Sequence, residues 1–215
     1  TGTGTVKVTQ TGSFSGRIQN LANLEINGGT ATFTNQTGSE DAIGTMKVIN
    51  GTVSLQNGTL TLDSLILDHG TVNLVNEDVT LALKQNPGED DGISGEGNSI
   101  SGKGTLELLN DTSMSFGGGT QGNVGYLGGL KIGTGTATIT ADTPLGSVKF
   151  SSTQGGTLQI NSGATLSLQD DPSFSSGSST PVCTREDNCR ITTNAGNIVR
   201  GEGTLKLVNG DGSVF

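Results

Sequence analysis

The sequence predicts an all-β chain, a right-handed parallel β-helix (β-solenoid) of roughly 20 residues per coil with loop excursions. Three observations predict it. First, short segments opened by Gly-Thr alternate apolar and polar residues: Gly44-Thr45-Met46-Lys47-Val48, Gly51-Thr52-Val53-Ser54-Leu55, Gly58-Thr59-Leu60-Thr61-Leu62 and Gly70-Thr71-Val72-Asn73-Leu74. A period of two is the signature of a half-buried strand. Second, these openings recur: Gly29, Gly51 and Gly70 stand 22 and 19 residues apart, and Gly135 and Gly156 stand 21 apart. Third, the 215 residues include 36 Gly, with 3% aromatic and 14% charged residues, so helix formers are scarce. The Val, Leu, Ile and Thr lie in regular alternation and not in a polar smear, which favours a folded chain over a disordered one. A four-residue strand buries too little to stand alone, so such strands must stack. Parallel strands of one sheet are joined by right-handed crossovers, which gives the expected hand. An antiparallel sandwich built on Asn-Gly hairpins is the alternative.

The elements follow in order. Gly4-Thr5-Val6-Lys7-Val8, Leu24-Glu25-Ile26 and Gly29-Thr30-Ala31-Thr32-Phe33 obey the rule near the N-terminus. Asn50-Gly51 and Asn57-Gly58 supply turns in the central stretch, because both residue types tolerate positive φ. Residues 84–99 replace the alternation by Pro, Gly and acids, an excursion from the coil. The phrase Ile100-Ser101-Gly102-Lys103-Gly104-Thr105-Leu106-Glu107-Leu108 restarts it and returns at Ile198 to Leu207. Residues 114–133 are Gly-dense, with strands resuming at Leu130-Lys131-Ile132 and Gly135-Thr136-Ala137-Thr138-Ile139. Val148-Lys149-Phe150, Gly156-Thr157-Leu158-Gln159-Ile160 and Ala164-Thr165-Leu166-Ser167-Leu168 continue it. A second excursion spans 169–197. Loops of that length within a rod are usually functional or disordered. Inward positions are Val, Leu, Ile, Phe and Ala, and outward ones include Lys7, Lys47, Ser54, Asn73, Glu107, Gln159 and Lys206. At this pitch the chain makes roughly ten coils, about 50 Å at a strand spacing near 4.8 Å. No composition break divides residues 1–215, which form one domain. The strand-like end GSVF and the missing initiator Met suggest a segment of a longer protein.

A net charge of −9 and a pI near 4.4 oppose nucleic acid and anionic lipid as partners. No apolar run approaches the roughly 18 residues of a membrane span, so this segment is not expected to insert in a membrane. Cys183 and Cys189 lie in the polar run PVCTREDNCR. A metal site would want more thiols or histidines near them, and two buried thiols fit poorly in so polar a loop. A local disulfide formed in an oxidising compartment is the expectation.

Neither cofactor nor metal is expected. Parallel β-helices can host enzymes that cleave glycans with paired carboxylates, and the candidates are Asp63 with Asp68, Glu77-Asp78, Glu89-Asp90-Asp91 and Asp170-Asp171. Most fall in turns or excursions, away from rigid outward positions, so they are read as solvated acids and the chain as a non-enzyme. His69, just before Gly70, is read as a turn residue in preference to a general base. Glu89-Asp90-Asp91 and Asn209-Gly210-Asp211-Gly212 lack the ligand spacing of a calcium loop, leaving at most a weak surface calcium site. With no Trp and one Tyr, Tyr126, the chain is poorly supplied for stacking on sugars. Thr30-Ala31-Thr32 and Thr136-Ala137-Thr138 suggest an ice-binding threonine ladder, but an irregular one that outward Lys and Glu are expected to interrupt. The binding candidates are Asn73 on a strand, Asp90 and Asp91 in the first excursion, and Asp170, Asp171, Arg185, Glu186 and Asp187 in the second.

The repeated phrase hydrophobic-x-Gly-x-Gly-Thr-Leu-x-Leu, at Ile100 to Leu108 and Ile198 to Leu207, resembles the β-helical passengers of bacterial autotransporters, especially self-associating adhesins of the AIDA-I and antigen 43 type. A closely spaced cysteine pair is similar to what those passengers carry. The resemblance covers most of the chain and brings no catalytic motif. It implies a segment of a longer passenger displayed outside the cell on a bacterial surface. Its function would be self-association, biofilm formation or host attachment, with the partner either itself on a neighbouring cell or a host receptor or matrix. The other classes are a polysaccharide-active β-helix enzyme and a passive stalk. Many weak polar contacts repeated along a rigid rod suit adhesion, because together they give avidity.

Overall fold

The computed structural model describes residues 2–16, 18, 20–36, 42–84, 97–117, 123–151, 155–168, 191–192 and 196–207. They form a β-solenoid of stacked parallel strands with no helix among the described residues. Each strand pairing among them is parallel, which excludes the antiparallel sandwich.

The coils lay strands on up to three faces in turn. Face 1 stacks Thr59–Leu62 of the strand Thr59–Asp68, then Thr80–Leu83, Thr105–Leu108, Gly129–Ile132, Val148–Phe150 and Ile191–Thr192. Face 2 stacks the strands Gly2–Val8, Leu21–Asn27 and Ala42–Ile49 on residues 64–68. Beyond the first excursion a separate four-stranded stack, Met114–Phe116, Thr136–Ile139, Thr157–Ile160 and Ile198–Gly201, takes the same place in the coil order. Face 3 runs through Gly12–Phe14, Thr30–Phe33, Thr52–Leu55, Thr71–Leu74, residues 99–102, residues 123–127, Thr143–Leu145, Thr165–Leu168 and Thr204–Leu207.

Along face 3 six steps are regular: 19 residues from Gly12 to Ala31, 22 from Ala31 to Val53, 19 from Val53 to Val72, 24 from Ile100 to Val124, 18 from Leu127 to Leu145 and 23 from Leu145 to Leu168. The solenoid has about six turns at about 22 residues each, close to the expected pitch but fewer than the roughly ten coils expected. Two steps are long, 28 from Val72 to Ile100 and 39 from Leu166 to Leu205, and they span the stretches where the sequence loses its alternation.

The core is a set of aligned apolar columns. Leu60, Leu81, Leu106, Leu130 and Val148 stack under face 1, and Phe33, Leu55 and Leu74 under face 3, each essentially sealed from solvent. Burying such a side chain contributes about 1.5–3 kcal/mol. A four-residue strand supplies only two of them, less than the entropy of ordering it, so stability comes from the stack. At the N-terminal end the rings of Phe14 and Phe33 stack at 5.0 Å, 12° from parallel.

Several strands escape the Gly-Thr rule. Thr59–Asp68 continues past Leu62 to bury Leu65 and Leu67 on face 2, and Thr80–Leu83, Met114–Phe116 and Thr143–Leu145 also join the stack. Asn123–Ile132 is a ten-residue strand inside the Gly-dense region. Pro144 sits in a face-3 strand although it has no N–H, opposite Ser167, and pairing on the other side is carried by Leu127 and Leu145. The interiors of both expected excursions lie outside the described residues, and residues at their ends belong to the rod. The Lys84 N–H still donates to the Leu62 carbonyl, and the rod resumes at Gly97 with a strand from Ser99. Ile191–Thr192 is a strand, and Asn197 is already docked.

The internal echo extends further than the phrase that revealed it. Gly97-Asn98-Ser99-Ile100 and Gly196-Asn197-Ile198-Val199 precede the two copies at the same offset. Asn98 Oδ1 accepts from the Gly70 N–H at 3.0 Å and Asn197 Oδ1 from the Gly156 N–H at 3.0 Å. In both copies the next residue donates its N–H to the carbonyl of that same glycine. Gly102 and Gly201 then take φ of 125° and 130°, where a Cβ would strike the carbonyl oxygen of Leu74 or Ile160 in the coil beneath. Only glycine fits there. The first copy enters face 3 and the second enters face 2, so the motif is not a fixed rung. It is a clamp that holds the chain to the coil beneath it at the end of each long step.

Candidate functional site

Period-two alternation dictates that every second residue of a strand points outward, and the pairing register decides which outward residues become neighbours. On face 3 two outward rows result. One is Thr30, Thr52, Thr71 and Ser99, and the other is Ser13, Thr32, Ser54, Asn73 and Ser101. No register shift interrupts the pairing from Gly12–Phe14 through Thr71–Leu74, and the rungs from Thr30 to Ser101 are half-buried by one another. Ser99 Oγ donates to Thr71 Oγ1 at 3.1 Å, and the Thr30 N–H donates to Thr11 Oγ1 at 3.3 Å. The array ends where pairing to residues 123–127 shifts between Ile100 and Gly102.

Face 3 carries no charged residue in its strands from Gly12–Phe14 through Thr165–Leu168, and Lys206 in Thr204–Leu207 is the first. Charge is gathered on the other faces. On face 2 Lys7, Glu25 and Lys47 are in register, with Lys7 Nζ 2.8 Å from Glu25 Oε1. On face 1 Glu107, Lys131 and Lys149 are in register, with Lys131 Nζ 2.7 Å from Glu107 Oε1, and Lys84 reaches Asp63 at 3.2 Å. The hydrogen bond from Lys7 lowers the Glu25 pKa first, helped by one from the Asn27 amide and by the charges of Lys7 and Lys47. The expected interruption of the threonine ladder by charge is absent from Thr30 and Thr32, whose rows stay uncharged as far as Ser99 and Ser101, whereas Thr136 and Thr138 stand on the four-stranded stack, where Thr138, Gln159 and Arg200 are in register.

Of the predicted binding residues, Asn73 lies in the second row of face 3. Asp90, Asp91, Asp170, Asp171, Arg185, Glu186, Asp187 and the pair Cys183 and Cys189 lie outside the described residues, as do Glu89 and 209–212. The described acids do not converge. Asp63 faces Lys84, Asp68 Oδ1 lies 3.0 Å from His69 Nδ1, and Glu77 and Asp78 sit exposed in a turn. His69 has φ 53°, the turn conformation expected of it. Asn50 and Gly58 also have positive φ, whereas Gly51 is instead buried against the coil below. Among the described residues no group of three His, Cys, Asp or Glu could hold a metal ion. Sequence reading missed the two-row array as a unit, because Thr30, Thr52, Thr71 and Ser99 become neighbours only through steps of 22, 19 and 28 residues.

The chain matches no protein-family model, and no curated protein or solved structure is recognisably similar to it. The fold and face 3 thus define its class: a β-solenoid with one face uncharged over eight successive described strands, from Gly12–Phe14 through Thr165–Leu168.

Proposed function

We propose that this chain is an adhesive, self-associating rod displayed outside a bacterial cell, of the autotransporter-passenger kind its repeated phrase resembles. The uncharged double row on face 3 carries the proposal. At net charge −9 like rods repel one another, and the approach that costs least brings neutral sides together. Hydroxyl and amide groups at each rung offer weak reversible hydrogen bonds whose repetition along the rod supplies avidity. A host receptor or matrix is the other partner of the same surface. Pairing should strengthen as salt screens the remaining repulsion over the roughly 10 Å Debye length at 0.1 M.

Clumping of cells that display the rod tests this. We expect clumping that rises with salt, is lost in Thr52→Asp/Thr71→Asp, where two charges enter adjacent rungs of face 3, and persists in Thr45→Asp/Ser64→Asp, a matched pair on face 2. If displaying cells neither clump nor bind matrix at any salt, the rod is a passive stalk.

A further inference from the structure

The same face has a regularity that adhesion does not require. We infer that face 3 binds the surface of ice. Four features carry the inference, and none rests on the adhesive reading.

The first is neutrality. Ions are rejected from the ice lattice and charged side chains hold their hydration shells, so a surface that meets ice must be uncharged. No charged residue occurs in eight successive strands of face 3, from Gly12–Phe14 through Thr165–Leu168, while Lys7, Glu25, Lys47, Glu107, Lys131 and Lys149 stand on the other two faces. The second is spacing. Parallel strands repeat at about 4.8 Å, and outward residues two apart on one strand are separated by about 6.7 Å. The two rows therefore form a grid whose short edge is close to the oxygen repeat on a prism plane of hexagonal ice.

The third is rigidity. Thr30, Thr32, Thr52 and Thr71 are β-branched and restricted at χ1, so their hydroxyls and methyls hold fixed places. Half-burial against neighbouring rungs restricts them further, and the Ser99 to Thr71 hydrogen bond joins two rungs directly. A pre-ordered array loses little entropy when it anchors a layer of ordered water. The fourth discriminates among occupants. No aromatic side chain points outward from Thr30–Phe33, Thr52–Leu55 or Thr71–Leu74, so the stacking platform that a sugar ring would use is missing from these rungs.

Binding would be irreversible on the scale of ice growth, because many registered contacts must break together. The purified chain should therefore open a gap between melting and freezing temperatures and shape single ice crystals. Thr52→Asp/Thr71→Asp should lose the gap and Thr45→Asp/Ser64→Asp should keep it, with both variants retaining the wild-type far-ultraviolet circular dichroism. A wild-type chain that shows no gap and no inhibition of recrystallisation up to its solubility limit overturns the inference. An equal loss in both variants also overturns it, since face 3 would then have no special part. Sedimentation of the same samples separates the two readings: face-3 charges that abolish self-association, in a protein that never affected ice, leave adhesion standing alone.

Discussion

Faces 2 and 3 are built on the same coils and share one core, yet they present different chemistry to solvent. Under face 2 Leu24, Met46 and Leu65 form a column, and under face 3 Phe33, Leu55 and Leu74 form another, all sealed from solvent. Above these columns face 2 alternates Lys7, Glu25 and Lys47, whereas face 3 repeats Thr, Ser and Asn. The inward half of each strand specifies the solenoid, and the outward half is free to differ by face. Segregated charge is thus a property of the surface and not a demand of the fold.

The most severe way to break the comparison is at the coil where face 3 resumes. Gly102→Val places a branched side chain at φ 125° and into the Leu74 carbonyl. We expect a loss above about 4 kcal/mol, because backbone strain and a backbone clash act together. Denaturant unfolding measures it, and a loss below 1 kcal/mol would mean the clamp is dispensable. A second pair asks whether the core distinguishes the faces. Leu74→Ala and Leu65→Ala each remove a sealed column member, one under each face, and each should cost about 2–5 kcal/mol. Similar losses support one continuous core, while a large disparity would show that the faces are held independently.

The smallest effect belongs to the charge row. Glu25 has a depressed pKa in the folded chain, so its contribution is present above the pKa of the unfolded carboxyl. That contribution is lost as pH falls through the lower folded value. Lys7→Met should weaken this acid-limb dependence, leaving the part due to Asn27 and Lys47, and make stability less sensitive to salt, because an exposed pair is readily screened. Thr52→Val on face 3 should leave both dependences unchanged. Parallel pH titrations of the two variants check the contrast.

Much of the fold was legible because burial imposes a period of two wherever a strand packs on one side. Val53, Leu55, Val72 and Leu74 are inward, and Ser54 and Asn73 outward, as their alternation requires. Among the strands that escaped, three have a blurred signal: Asn123–Ile132 by its glycines, Thr143–Leu145 by Pro144, and residues 64–68 by a corner that turns within one strand; Thr80–Leu83 and Met114–Phe116 lack the Gly-Thr opening. The clamp glycines were visible as a repeated phrase, but their purpose was not, since Leu74 and Ile160 meet them only in the stacked chain.

The sequence by itself determined that the chain is a stack of short strands, and which residues of those strands point inward. Tertiary structure alone decided which outward residues stand side by side. Thr32, Ser54, Asn73 and Ser101 form one row through steps of 22, 19 and 28 residues, while Glu25 and Lys47 fall on another face. No fixed period predicts that sorting. Register between coils is set where each turn or clamp returns the chain to the hydrogen-bond ladder, and a shift of one residue there would exchange inward for outward along the whole strand.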